Sequence, residues 1–403
     1  MEHHDSHLGA RTPASDNGHR SHDVTDAGAV TRPQLIVVTL LTVLALAAGV
    51  AIPASAINLS YSAEDVGGII MPPGMVMSRD TPAAAMREMA AVDPDDVVYE
   101  APADARGDVT LKPRLQDGTK VFDIGASVID WTILPGESVE AYAFNRQVPG
   151  PRIRVTEGDH LRIKITNNLP EETSVHWHRL ILPNDLDGAA DVTQDPIAPG
   201  DTFTYEFTAT APGTYFYHSH HGPDRQQGLG LYGALIVDPR DQSRDTFYDY
   251  DQEVVIQLQE WLERDGYTYP AMMMEGALPN FFTINGKAYP ETQHVSMKVG
   301  DRLRVRFIGT HNNFIHPMHI HGGPFEIVET DGYPVPPAAR LIKDTVNVGP
   351  GERYDVIWEA RRPGKWLLHC HIPHHTTNDN TEVEGGGGLM TVIDVSRRGS
   401  NSS

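Results

Sequence analysis

From about residue 116 onward the chain is written twice. Gly158-Asp159-His160-Leu161-Arg162-Ile163-Lys164 returns as Gly300-Asp301-Arg302-Leu303-Arg304-Val305-Arg306. A histidine pair follows each copy at a matching interval: His176-Trp177-His178 after the first, His319-Ile320-His321 after the second. Pro-Gly pairs then recur in step, at 199-200 and 212-213 and again at 350-351 and 363-364. Each last glycine leads into a histidine-flanked tripeptide, His218-Ser219-His220 in one copy and His369-Cys370-His371 in the other. Self-similarity of this length means two copies of one domain, so any fold must be one that the chain can build twice. Short runs of Val, Ile, Thr, Tyr and Phe between Pro-Gly turns predict all-β sandwiches, over 116–240 and 252–396.

In a strand, residues i and i+2 share a face, so each of the four His-x-His units presents two imidazoles together. Eight imidazoles converging on one place would repel one another if charged and waste burial if neutral, unless they surround metal ions. Imidazole suits copper, iron, zinc and nickel, and Cys370 decides among them. It is the only cysteine, so it forms no intramolecular disulfide. Two imidazoles plus a thiolate make the trigonal copper site of one-electron transfer, and His316 and His375 flank the second copy in position to supply them. Strand alternation sends His369 and His371 to one face and the Cys370 thiol to the other, so this tripeptide can link two metal centres. Ser219 occupies the matching place in the first copy, which leaves the thiolate centre to the second domain alone.

Ahead of the repeat, residues 1–33 read as a disordered polar tail with His3, His4, His7, His19 and His22. Residues 34–56 carry no charge and are long enough to cross a bilayer, which predicts a transmembrane anchor or an export signal. Ala54-Ser55-Ala56 resembles a signal-peptidase site. Arg11, Arg20 and Arg32 precede this segment and no basic residue follows until Arg79, which places the bulk of the chain outside the cytoplasm. Residues 57–115 form a Pro- and Met-rich linker or lid, in which Met71, Met75, Met77, Met86 and Met89 are soft ligands able to hold cuprous ions. Met272, Met273 and Met274 invite the same reading or a place in the core. Residues 397–403 are a tail. Lys plus Arg number 32 against 54 Asp plus Glu, a balance that excludes nucleic acid as a partner and attracts cations.

These motifs, with His316-Pro317-Met318-His319-Ile320-His321-Gly322 and His369-Cys370-His371-Ile372-Pro373-His374-His375, resemble those of the multicopper oxidases over about 118 to 396. The resemblance implies two tandem cupredoxin-like Greek-key domains and four copper ions per functional unit. It implies that His176 and His319 hold the type 2 copper. One type 3 copper would take His178, His218 and His371, the other His220, His321 and His369. His316, Cys370 and His375 would hold the type 1 copper. Asp187 falls where the family keeps a carboxylate that relays protons, although a turn role serves it equally well. Arg179 stands where the family usually has glycine. Met390 is the nearby thioether for an axial ligand, yet it sits in what reads as the closing strand. His221 and His374 lack family counterparts.

Without a middle domain, the chain is similar to the two-domain laccases, a resemblance that implies a homotrimer with histidine clusters between neighbouring subunits. The implied activity is single-electron oxidation of donors, with dioxygen reduced to water. Phenols and Cu(I), Fe(II) or Mn(II) ions are admissible donors, docking near His316 or His375. A copper nitrite reductase is the nearest rival, and a copper-binding or electron-carrying protein without turnover is the other.

Overall fold

A computed structural model describes residues 31–56, 69–75, 81–241, 249–382 and 384–398, with the backbone alone over 48–56. The five histidines of the tail, Met77 and residues 57–68 of the linker lie outside these. Residues 1–56 and 57–403 separate into two units. In the first, a helix spans Arg32–Ala56. The expected transmembrane anchor is not supported: among the described residues no helix is long and apolar enough to cross a membrane. Side chains of this helix are described only through Ala47, short of the roughly 20 apolar residues that a bilayer requires.

The second unit is all-β and repeats one architecture, as the duplicated sequence predicts. In the first domain, a five-stranded sheet carries Thr119–Leu134, His160–Asn167 and Thr202–Thr208, and faces a four-stranded sheet of Gly150–Thr156, Tyr232–Asp238, Gly213–Ser219 and Val175–His178. In the second, an eight-stranded sheet built on Gln252–Arg264, Arg302–Ile308 and Arg353–Glu359 faces a five-stranded one. That five-stranded sheet runs Val295–Lys298, Met390–Ser396, Gly364–Cys370, His316–Ile320 and Thr345–Val348. Both copies share their pairings: Thr119–Leu134 lies parallel to His160–Asn167, as Gln252–Arg264 does to Arg302–Ile308. Gly158 and Gly300 open the repeated segment at φ +83° and +89°, left-handed conformations that glycine adopts without a Cβ clash.

Each sandwich has its own core, around Trp177 and Tyr217 in the first domain and around Trp358 and Met318 in the second. A third cluster joins them, with Trp131 and Tyr232 packed against Trp261 and Phe281. A buried polar lock also joins the two domains. Asp355 accepts from Arg304 Nε (2.9 Å), Arg306 Nη1 (2.8 Å) and Thr214 Oγ1 (2.9 Å), and Glu329 accepts from the Thr214 amide (2.8 Å). Thr214 belongs to the strand that ends in His218-Ser219, so the lock fixes that strand against the second domain.

Segments before the repeat pack on both domains. Glu100 bridges Asp130 and Thr110 bridges Arg152. Met71, Met75 and Met89 are buried with Leu262 and Tyr269, and Met86 and Met272 pack against them. Met273 and Met274 are exposed.

Candidate metal centres

The eight His-x-His imidazoles form two groups built by the same rule. In the first domain His176 pairs with His218 across adjacent strands, and in the second His319 pairs with His369. Directly opposed residues share a face, so four rings gather on each sheet. His176 stands 5.5, 5.4 and 5.5 Å, centroid to centroid, from His178, His218 and His220. His319 stands 5.0, 5.7 and 5.5 Å from His321, His369 and His371. Among the described residues no ring contact joins one group to the other. His220 and His371 face solvent.

Backbone carbonyls choose the free nitrogen. His176 Nδ1 donates to the Asp187 carbonyl and His319 Nδ1 to that of Asp344, each at 2.7 Å. His218 Nδ1 donates to the Ser219 carbonyl (2.9 Å) and His369 Nδ1 to that of Cys370 (2.8 Å). With Nδ1 carrying the proton, Nε2 presents its lone pair to the centre of each group, the usual arrangement of metal-binding histidines. Burial favours the neutral form of five of the rings. It holds His218 well below the ordinary imidazole value and His178 at about 3, where the Arg353 charge adds to it; His176, His321 and His369 are lowered by the same cause.

The third group brings His316, Cys370 and His375 together in the second domain. His316 Nδ1 and His375 Nδ1 are 3.0 Å apart, and Cys370 Sγ is 3.8 Å from the first and 3.6 Å from the second. Burial lowers both imidazoles to about 3 and raises the thiol to about 12. Three sealed donors thus point their lone pairs at one another with too few protons to pair them. A soft cation satisfies such a set, and a thiolate with two imidazoles suits copper. The residues present therefore fit the group that the motifs imply.

Several expectations change. His316 and His375 were to reach the surface and meet donors, but they are 0% and 1% exposed. Phe282 stacks on His375 at 4.4 Å and Phe314 closes on it at 4.7 Å, while His374 is the exposed imidazole nearby, its ring 6.0 Å from Phe282. Met390 opens the closing strand and pairs with His369, so its side chain lies on the histidine face, away from Cys370. Leu389, whose carbonyl accepts from the Cys370 amide at 2.9 Å, shares a buried cluster with Cys370 instead. Asp187 orients His176 through its carbonyl, and its carboxylate lies 3.6 Å from the same nitrogen. Arg179 adopts φ +74°, which explains a glycine preference there. Its guanidinium donates to Tyr215 Oη (2.6 Å) and lies 3.3 Å over the Tyr333 ring, contacts that offset the backbone strain.

The first domain also shows what replaces a thiolate site. Strand pairing puts Thr173 where His316 stands and Ser219 where Cys370 stands, and both hydroxyls donate to Gln226 Oε1 (2.7 and 2.6 Å). A neutral hydrogen-bond network fills that pocket. Sequence reasoning passed over two buried residues beside His316. Glu260 Oε1 lies 3.2 Å from its Nε2, and the ring of His311 stands 4.2 Å away with both nitrogens unpartnered. Strand alternation puts Glu260 on the face of Ile256, Leu258 and Leu262 and not on that of Gln257 and Gln259, so a carboxylate on an apolar face is the local signal that marks it.

The chain matches the family described as multicopper oxidase over residues 126–242 and again over 266–381. It is 31% identical to the multicopper oxidase MmcO of Mycobacterium tuberculosis over 56% of this chain and 49% of that protein. The structure of a blue copper oxidase from Nitrosomonas europaea superposes with a TM-score of 0.63 at 34% identity, over 68% of this chain and 85% of that one. A copper nitrite reductase from the same organism superposes at 0.58 and 26% identity, over 69% and 94%. The chain spans about half the length of the curated relatives it matches.

Proposed function

Because this chain belongs to the multicopper oxidases, we propose that it oxidises reducing donors one electron at a time in its second domain and reduces dioxygen to water at the His-x-His cluster. The carrying observation is the sealed trio of His316, Cys370 and His375, joined through one tripeptide to His369 and His371. In this reading the trio holds the type 1 copper, and His176 and His319 hold the type 2. His178, His218 and His371 hold one type 3 copper, and His220, His321 and His369 the other. Bound copper supplies one-electron transfer at the thiolate site and multi-electron oxygen reduction at the histidine cluster.

The chain's own part is to orient, seal and connect. The four Nδ1–H bonds to carbonyls set which nitrogen each ring offers. Burial favours the unprotonated form of His176, His218 and His369, and Phe282 and Phe314 exclude water from His375. The Cys370 carbonyl accepts from His369 Nδ1, giving the tripeptide a hydrogen-bonded link beside its covalent one. His374 supports donor contact at the surface, with His375 reached across Phe282. Asp187 remains the candidate proton relay because its carboxylate is half exposed next to His176.

The assembly in this reading is a homotrimer in which the first domain of one chain meets the second domain of its neighbour. Each four-histidine group is open on its own, and exposed aliphatic side chains lie close in the chain to the residues whose carbonyls orient them: Ile181 and Val192 on either side of Asp187, Leu341 and Ile342 just before Asp344. The catalytic domains lie outside the cytoplasm, with the apolar segment at 34–56 acting as the export signal.

The test is oxygen consumption with a phenol, Cu(I), Fe(II) and Mn(II) in turn, together with the near-ultraviolet band of a coupled copper pair. Nitric oxide formation from nitrite, without oxygen uptake, would establish the reductase instead. Ser219 argues against that outcome, because such an enzyme carries its type 1 cysteine in the first domain.

A further inference from the structure

Glu260 sits within Gln252–Arg264, the longest strand of the second domain, with 1% of its surface exposed. A carboxylate is buried at large expense unless partners replace its water. Here the partners are neutral, and all come from the turn that leads into His316. Phe314 N donates to Oε1 at 2.9 Å, and Asn313 donates to Oε2 through its amide N (3.1 Å) and its Nδ2 (2.8 Å). Acceptance of three N–H groups is the role of a carboxylate. Among the described residues its ion-pair contact is with His316 alone: Oε1 lies 3.2 Å from Nε2, off the direction of a linear hydrogen bond. His311 packs edge-on to the same imidazole at 4.2 Å, so no solvent layer screens the contact.

His316 therefore has two different ends. Nδ1 faces Cys370 and His375, and Nε2 faces a fixed carboxylate. We propose that Glu260 is a positioning residue that holds His316 with Nδ1 toward the thiolate and lowers the reduction potential of the copper bound there. This rests on the copper reading of the trio. The physical basis is general: a carboxylate behind a ligating imidazole fixes its tautomer and raises its basicity, and a nearby negative charge favours the more positive oxidation state. Glu260 is sealed from donors, so its action runs through His316. It also opposes the apolar Leu389, whose lack of a donor atom raises the potential.

The experiment is a redox titration of the copper-loaded full chain and of its Glu260→Gln, Glu260→Asp and Asn313→Ala variants, with copper content and the intense thiolate absorption band recorded for each. Glu260→Gln is expected to keep the band and its copper. Its equilibrium with a one-electron mediator should move at least tenfold toward the reduced form, which is 59 mV. Glu260→Asp should restore part of the difference, and Asn313→Ala, which keeps the charge, should stay near the wild type. An unchanged potential in Glu260→Gln would overturn the proposal. So would an equal rise in Asn313→Ala, which assigns the effect to packing, or loss of copper and band from both Glu260 variants, which assigns it to folding. A wild-type chain that develops no intense visible band with copper would fail the copper reading itself, before Glu260 is considered.

Discussion

Two individually inactive variants of this chain should restore activity when they share a trimer. The first variant loses the first-domain group, through His176→Ala and His178→Ala; the second loses the other group, through His319→Ala and His321→Ala. The four rings of each group come from a single domain, and among the described residues no ring contact joins the groups. In a closed ring every cluster joins the first domain of one chain to the second domain of the next. A trimer holding both variants, in either proportion, then contains one junction with both groups intact and two that are damaged. Activity should be roughly one third of wild type per trimer, independent of the mixing ratio, as closed three-fold symmetry dictates. The assay needs two affinity tags, co-expression, sequential purification that retains only mixed trimers, and oxygen uptake normalised to protein. Activity no higher than that of either variant alone, in trimers shown to be mixed, would refute assembly of the cluster between chains. Activity near wild type would refute the inactivity assigned to the substituted histidines.

Three further outcomes follow from the geometry. Cys370→Ser should abolish donor oxidation and the visible thiolate band, while much of the copper at the histidine cluster stays bound by metal analysis; retained oxidation would break the link assigned to the tripeptide. Asp355→Asn removes the carboxylate that Arg304 and Arg306 share and leaves Glu329 to Arg304 and Glu253 to Arg306, so chemical denaturation should show a loss of about 3 kcal/mol, the low end of the range for breaking a buried pair. Glu329 titrates at about 7 instead of 4.5, raised chiefly by burial and then by Asp355. A raised folded-state value means that its contribution to stability is present below about pH 4.5 and is lost as pH rises through about 7. Glu329→Gln should therefore flatten the fall in unfolding midpoint between those values, and an unaltered profile would count against the assignment.

Much of the candidate site was legible along the chain because strand alternation is a local rule. Four His-x-His units and Cys370 between two histidines place their side chains by a two-residue period that holds in any strand. The duplication identified Ser219 with Cys370, and the pairings of His176 with His218 and His319 with His369 repeat that register in space. Local rules failed where burial and contact depend on distant residues. His316 and His375 read as surface imidazoles until Phe282, Phe314 and His311 closed over them. Met390 could be read as an axial thioether or as a residue of the closing strand, and pairing with His369 puts it on the face away from Cys370. Length and apolarity predicted a membrane-spanning helix at 34–56, and no helix among the described residues meets that requirement.

By itself the sequence determined that one domain is built twice, that histidines line one face of each copy, and that a thiolate centre exists in the second copy alone. Covalent spacing and strand period are sufficient for each of these. Only the tertiary structure decided which nitrogen His176 and His319 offer, since the carbonyls of Asp187 and Asp344 reach them from other parts of the chain. It also decided that Glu260 stands behind His316 and that the two histidine groups stay apart within one chain. Those facts depend on how strands from different parts of the chain cross, and no local period encodes that.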